Sequence, residues 1–338
     1  MANTYSTNSK PENNSMQMPE DLQAIIQQKI DGFCRKNGNE SILQPVNYIL
    51  QLGGKRVRPL LTLLAADAFV DDVSDAVYPA IAMEIFHNFT LMHDDIMDNA
   101  PIRRGKPTVH EKWNRDVAIL SGDAMLIQAY QLILKTKTEC LPQVLDTFNT
   151  TALEVCIGQQ QDMDFQSQSD VSVDNYIEMI RLKTSVLLGG CMKIGSIISG
   201  ASEEDQKRLY DFAIALGLSF QLWDDYLDTF GDGSKTGKQV GGDILANKKT
   251  FLMIKAFELA NSDQRKTLEA QLENQDSPQQ KIEIVTALFK ELQIDEALKS
   301  KVNEYYNLAL QSLDAVSVSK ARKQKIYALA ESLHNREF

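Results

Sequence analysis

Apolar residues recur at three- and four-residue intervals almost without a break from residue 19 to the C-terminus. Leu22, Ile25, Ile26, Ile30 and Phe33 are one example, and Leu60, Leu61, Leu63, Leu64 and Phe69 another. This spacing places them along one face of an α-helix. Alternating runs of β-branched residues, the mark of half-buried strands, are missing. Helix-ending punctuation falls between the periodic segments, at Gly53-Gly54, Asp71-Asp72, Asn99-Ala100-Pro101, Leu141-Pro142, Gly189-Gly190 and Ser199-Gly200. The pattern predicts an all-α chain of roughly ten to twelve helices with no sheet of consequence. Stretches 79–93, 118–134, 144–163 and 208–227 are apolar on most faces, which predicts helices buried inside a large bundle. Nothing reads as a linker, so residues 19–338 are expected to form one domain. The Asn-, Ser-, Thr- and Pro-rich stretch 1–18 reads as a disordered tail and not as a signal peptide.

Two charged interruptions change this picture. The same acidic pentad ends two of the apolar helices: Asp94-Asp95-Ile96-Met97-Asp98 and Asp224-Asp225-Tyr226-Leu227-Asp228. Positions i and i+4 lie about 40° apart on a helix, so Asp94 with Asp98, and Asp224 with Asp228, each project two carboxylates in one direction. Unpaired like charges at that spacing repel. A solvated acidic face would account for one such pentad. Two in matching apolar contexts point instead to divalent cations, and hard oxygen donors that leave room for water and phosphate suit Mg²⁺. The net charge of −11 argues against nucleic acid. An anionic substrate requires metal ions and local basic residues to invert the field. The four cysteines, Cys34, Cys140, Cys156 and Cys191, lack CxxC spacing and read as reduced core residues of a cytoplasmic protein. No apolar run reaches the roughly 18–20 residues of a membrane span.

The basic residues are placed to supply that inversion. Gly53-Gly54-Lys55-Arg56-Val57-Arg58-Pro59 feeds three cations into the start of a helix, and Arg103-Arg104 follow the first pentad directly. Arginine's planar fork binds phosphate oxygens in pairs. His87, seven residues before Asp94, returns to the same helical stripe, whereas His93 points elsewhere. Lys183, Thr184 and Gln221 are polar residues on apolar helices, and stretch 231–242 has the glycine density of a lid. That stretch is not a nucleotide P-loop, because Gln239 stands where Ser or Thr is needed and no strand precedes it. Together these parts suit one chemistry, binding a diphosphate and making it leave. An allylic cation left behind would then be shielded from water by an apolar cavity.

With these motifs in this order, the chain resembles the trans-isoprenyl diphosphate synthases, the polyprenyl synthetase family that includes farnesyl and geranylgeranyl diphosphate synthases. The resemblance runs over about residues 40–255, also through Gly158-Gln159-Gln160-Gln161-Asp162, Lys183-Thr184 and Lys248-Lys249-Thr250. It implies the isoprenoid synthase fold, usually as a homodimer, and about three Mg²⁺ ions held by Asp94, Asp95, Asp98, Asp224 and Asp228. Lys55, Arg58, His87 and Arg104 would hold isopentenyl diphosphate. Arg103, Lys183, Lys238 and Lys248 would grip an allylic diphosphate (dimethylallyl, geranyl or farnesyl), and Thr184 and Gln221 would face its reacting carbon. The product would be an all-trans prenyl diphosphate, with Phe86, Phe89 and Thr90 flooring the tunnel. That floor leads to an expected length of C15–C20, C20 favoured. Rival readings are a longer-chain polyprenyl synthase, a terpene cyclase, a regulatory subunit of a heteromeric synthase, and a di-iron bundle prompted by Glu84–His87 and Glu331–His334. An intact second pentad argues against the cyclase and the subunit.

Overall fold

The computed structural model describes residues 20–38, 40–168, 170–231, 240–274 and 276–335. The tail expected over 1–18 and most of the glycine-rich stretch, Lys238 included, lie outside the described residues. Among the described residues the chain folds into fifteen helices. In that count α8 (Val173–Ile180), a π turn over Arg181–Ser185 and α9 (Val186–Ile198) form one continuous rod. The β structure described is a two-strand ribbon, Ile102–Arg103 against Lys106–Pro107. The all-α expectation holds, but the helices outnumber the ten to twelve expected. α5 (Val109–Lys112) and α11 (Gly242–Leu245) are single turns, too short to leave a helical period in the sequence.

Two helices carry the pentads. α4 (Val77–Met97) is buried along most of its length and ends in the first pentad. α10 (Glu203–Phe230) starts where the Ser202 hydroxyl accepts from the Asp205 amide at 3.2 Å, with three acidic residues in its first turn, and ends in the second pentad. One apolar cluster packs α3 (Val57–Asp67), α4, α9 and the first half of α10 together. A second gathers α8, the other half of α10 and the chain after it as far as Val302. α15 (Ile294–Ala315) lies along α10, where Ser219 Oγ donates to the Val302 carbonyl at 3.0 Å. α16 (Lys320–His334) closes on α3 through buried Ile326, Leu329 and Leu333, with Lys325 2.9 Å from Asp67 at the rim. Such exposed ion pairs contribute about 1 kcal/mol or less, so apolar burial holds this contact. The C-terminal helices thus brace α3 and α10, two of the elements that present site residues.

Two burial expectations fail. α6 (Arg115–Ile133) was expected to be covered on most faces, yet Leu120, Ile127 and the adjoining Leu134 are 57%, 60% and 59% exposed. They fall seven residues apart, on one stripe. On α7 (Leu141–Ser167), Leu153, Cys156 and Ile157 are also exposed, so Cys156 is not a core thiol.

Candidate active site

The first pentad sits at the C-terminus of α4, with Asp98 as the cap residue. Both oxygens of buried Asp95 accept from Arg103 Nε at 2.9 Å, and Arg103 Nη2 approaches Asp95 Oδ1 to 2.7 Å and Asp94 Oδ2 to 3.7 Å. Burial pushes the Asp95 carboxyl up, and Arg103 opposes that shift. In Arg103 burial acts downward, but the Asp95 bond together with the charges of Asp95, Asp94 and Asp98 outweighs it, so the guanidinium is held charged above its ordinary value. The ribbon turns through Arg104 (φ 52°) and Gly105 (φ 71°), positive values at both central residues that suit a tight hairpin. The turn sends the two adjacent arginines in different directions. Arg104 folds onto the Gly53-Gly54 loop and donates to the Gly53 carbonyl. A Cβ at Gly54, where φ is 127°, would lie 3.0 Å from the guanidinium carbon.

That loop builds the second basic group. Lys55 is exposed. Buried Arg56 donates to Glu84 at 2.6 Å and to the Leu50 carbonyl, and Asn88 donates to the same Glu84 oxygen at 3.0 Å. Glu84 is therefore committed to Arg56, and His334 stacks on Tyr306 with ring centroids 3.9 Å apart. These contacts remove the di-iron reading. Arg58 Nε is buried without a hydrogen-bond partner among the described residues. Burial, then the charges of Arg58, Arg104, Arg103 and Arg56, hold His87 well below its ordinary value, so the imidazole is neutral. Arg58, His87 and Arg104, expected to act together, are thus one electrostatic neighbourhood.

The third group forms around the π turn. Lys183 and Thr184 sit on this i→i+5 turn over Arg181–Ser185. The turn lies so close to α7 that a Cβ at Gly158 would stand 2.3 Å from the Lys183 amide nitrogen and 2.7 Å from the Leu182 carbonyl carbon. Lys183 Nζ sits between Asp162 Oδ2, at 2.6 Å, and Asp94 Oδ1, at 3.3 Å. Burial draws its ammonium down, but Asp94 and Asp162 more than offset this and keep it charged.

A cavity of roughly 240 Å³ opens here. Asp98, Lys183, Thr184, Gln221, Asp224, Asp228 and Lys248 all line it, so both pentads reach one space. After α10 the chain returns across it: the Gly241 amide donates to the Asp228 carbonyl at 2.6 Å and the Asp243 amide to Asp228 Oδ2 at 3.0 Å. Lys248 Nζ lies 3.3 Å from Asp243. Burial lowers Lys248, yet Asp243, Asp162 and Asp98 raise it further and hold it as a cation. Asp162, Tyr176 and Asp243 share the cavity without having been singled out from the sequence. Asp162 ended a motif that carried the resemblance, but no period or charge pattern marked Tyr176 or Asp243.

Among the described residues no three or more His, Cys, Asp or Glu side chains are drawn together tightly enough to hold an ion by themselves. Mg²⁺ does not need such a cage, because one or two carboxylates usually suffice, with waters and substrate phosphates filling the other positions. Asp98 on one wall of the cavity and Asp224 with Asp228 on another, beside cations placed for phosphate, fit that manner of binding.

Phe86, buried at 1% exposure, meets Phe89 at 5.6 Å and Phe148 of α7 at 5.4 Å between ring centroids. Phe89 also packs on His93 at 4.7 Å, and half-buried Thr90 donates to the His87 carbonyl at 2.8 Å. The aromatic group therefore lies one to two turns below the pentad, where α4 faces α7.

A family model described as Polyprenyl synthetase matches residues 39–290. A geranylgeranyl pyrophosphate synthase of Geoglobus acetivorans is 34% identical over 323 residues, covering 94% of this chain and 98% of the relative. A crystal structure of a geranylgeranyl pyrophosphate synthase superposes with a TM-score of 0.89 at 42% identity, covering 96% of this chain and 100% of the other. The geranylgeranyl pyrophosphate synthetase of Pyrococcus horikoshii gives 0.88 at 32% identity, with 94% and 97% covered.

Proposed function

This chain belongs to the polyprenyl synthetase family and is a prenyltransferase, and on that premise we propose that it joins isopentenyl diphosphate head to tail to an allylic diphosphate, giving a C15–C20 all-trans product with C20 favoured. The observation that carries the reading is the single cavity into which Asp98, Asp224, Asp228, Lys183 and Lys248 all open. The names of the relatives described above support C20. The family is generally divalent-metal dependent; we assign Mg²⁺, about three ions, to Asp94, Asp98, Asp224 and Asp228. Asp95, expected among these ligands from the sequence, is better suited by its Arg103 bonds to hold that arginine in place.

Bound metal would stabilise charge on the departing diphosphate as a Lewis acid. Arg103, Lys183 and Lys248 hold the allylic diphosphate and offset the same charge, and Lys238 is assigned there too, outside the described residues. Arg58, Arg104, Lys55 and neutral His87 hold isopentenyl diphosphate, His87 by donating an N–H. Thr184 and Gln221 face the carbon that becomes cationic, and the Thr184 hydroxyl presents its oxygen to it. The apolar wall formed by Phe165, Met179, Ile180 and Leu227 keeps water from it. The released diphosphate takes the proton lost at the end, so no protein base is assigned.

Residues 19–338 are taken as one domain, because the two apolar clusters share α10. Among the described residues no helix is long and apolar enough to cross a membrane. A cytoplasmic setting suits the four thiols, none of them in a disulfide. The stripe Leu120, Ile127 and Leu134, with Leu153 and Ile157, suits a homodimer, since three large side chains more than half exposed on one helix are costly to leave in water. Replacing Leu120 and Ile127 together by Lys should halve the mass in analytical ultracentrifugation. A variant that sediments like the parent would remove α6 from the contact.

The assay that tests the reading supplies labelled isopentenyl diphosphate with dimethylallyl, geranyl or farnesyl diphosphate and separates products by length. Each starter should be extended to the same end point, C20. Phe86→Ala, which empties space beside Phe148, should lengthen the product by at least one C5 unit. If Phe86→Ala and Phe89→Ala both leave the length unchanged, the tunnel floor lies elsewhere.

A further inference from the structure

A hydrogen-bond chain joins four residues of the cavity wall across α8, the π turn and α10. Thr184 Oγ1 donates to Gln221 Oε1 at 3.3 Å, Gln221 Nε2 donates to Asp225 Oδ1 at 3.3 Å, and the Tyr176 hydroxyl donates to Asp225 Oδ2. Eight residues separate Tyr176 from Thr184, which in an uninterrupted α-helix sets them about 80° apart. The underwound π turn between them reduces that angle, so both face α10.

The direction of the chain is dictated at Asp225. Asp225 accepts on both oxygens, from the Tyr176 hydroxyl and from Gln221 Nε2, so the Gln221 amide turns its nitrogen to Asp225 and its oxygen to Thr184. The single Thr184 proton is then engaged by Gln221, and the hydroxyl lone pairs are left for the cavity. Turned the other way, Thr184 would offer the positive end of its dipole to a carbon that becomes cationic. Tyr176 and Asp225 are 3% and 4% exposed, so little water competes for either bond.

We propose that Tyr176 is a positioning residue: by holding Asp225 it sets the orientation of Gln221 and, through it, the direction of the Thr184 hydroxyl toward the reacting allylic carbon. This rests on the prenyl-transfer reading above. In Tyr176→Phe one Asp225 oxygen loses its donor, and the carboxylate can rotate and take the Gln221 amide with it. The kinetic effect belongs to kcat, because no diphosphate contact is removed.

The test is steady-state kinetics on the wild type, Tyr176→Phe, Thr184→Val and the double variant, each with a thermal melt. Tyr176→Phe should lose about tenfold or more in kcat with KM for both diphosphates within about threefold. Once the Thr184 hydroxyl is gone its direction no longer matters, so the double variant should be within about twofold of Thr184→Val alone. Losses that multiply, or a Tyr176→Phe kcat within about twofold of wild type, overturn the proposal. If Tyr176→Phe does not fold, Asp225→Asn takes its place in the same cycle, since an amide there lets Gln221 flip. Multiplying losses in that cycle overturn the proposal equally. An active wild type with multiplying losses sinks this inference alone, whereas a wild type without prenyl transfer sinks the function reading as well.

Discussion

Asp224→Ala is expected to lower prenyl transfer by about 10³-fold or more while leaving the helical circular dichroism of the parent. Asp224 lines the cavity near the end of α10, so its removal takes away an oxygen assigned above to metal without opening the apolar core. Alanine is also the better helix former, so α10 should persist. Asp94→Ala should show a comparable loss by a slightly different route. Lys183 then keeps only Asp162, at 2.6 Å, and is drawn toward α7 and away from the substrate. Turnover is measured with labelled isopentenyl diphosphate over a Mg²⁺ titration. Activity within about tenfold of the parent, in either variant, would count decisively against a site built from both pentads.

Gly158→Ala carries the second large effect, and here the fold and the chemistry fail together. The added Cβ would meet the Lys183 nitrogen at 2.3 Å and the Leu182 carbonyl carbon at 2.7 Å. Both are backbone atoms, so no side-chain rotation relieves the contact and α7 must part from the π turn. Overpacking of this kind costs about 1–3 kcal/mol, partly offset by the better helix propensity of Ala. The shift falls on the residues that hold Lys183 and Thr184 in the cavity. A displacement of about 1 Å there is expected to cost on the order of 10²-fold in kcat. The melting temperature should fall by a few degrees, roughly 1–2 °C per kcal/mol for a chain of this size. Gly32→Ala is the matched control, because its Cβ would meet nothing nearer than 3.9 Å. If Gly158→Ala melts and turns over like that control, the contact between α7 and the π turn does not set the Lys183 position.

The local features of the site were legible because they are short-range. His87 shares a stripe with Asp94 by helical geometry alone, and the double glycine at 53–54 announced a loop that brings cations forward. The same reasoning could not separate Arg103 from Arg104, since only the positive-φ turn at Arg104 and Gly105 sends one to Asp95 and the other to Gly53. It also placed stretch 118–134 inside the bundle. A helix apolar on all sides looks the same in sequence whether its second face meets another helix or is exposed, as Leu120 and Ile127 are. The single-turn helices α5 and α11 escaped notice because four residues cannot show a period of 3.6.

The sequence by itself determined that this chain is helical and that two acidic pentads end apolar helices, and it pointed to metal ions and diphosphate as their chemistry. Hydrophobic period and charge spacing are properties of neighbours along the chain, so they survive without a fold. Only the tertiary structure decided which polar residues share the cavity. Lys183 meets Asp162 across 21 positions, Arg56 meets Glu84 across 28, and Tyr176 meets Asp225 across 49. Such pairings are set by how helices pack and where a π turn shifts their faces, and a one-dimensional pattern carries no record of either.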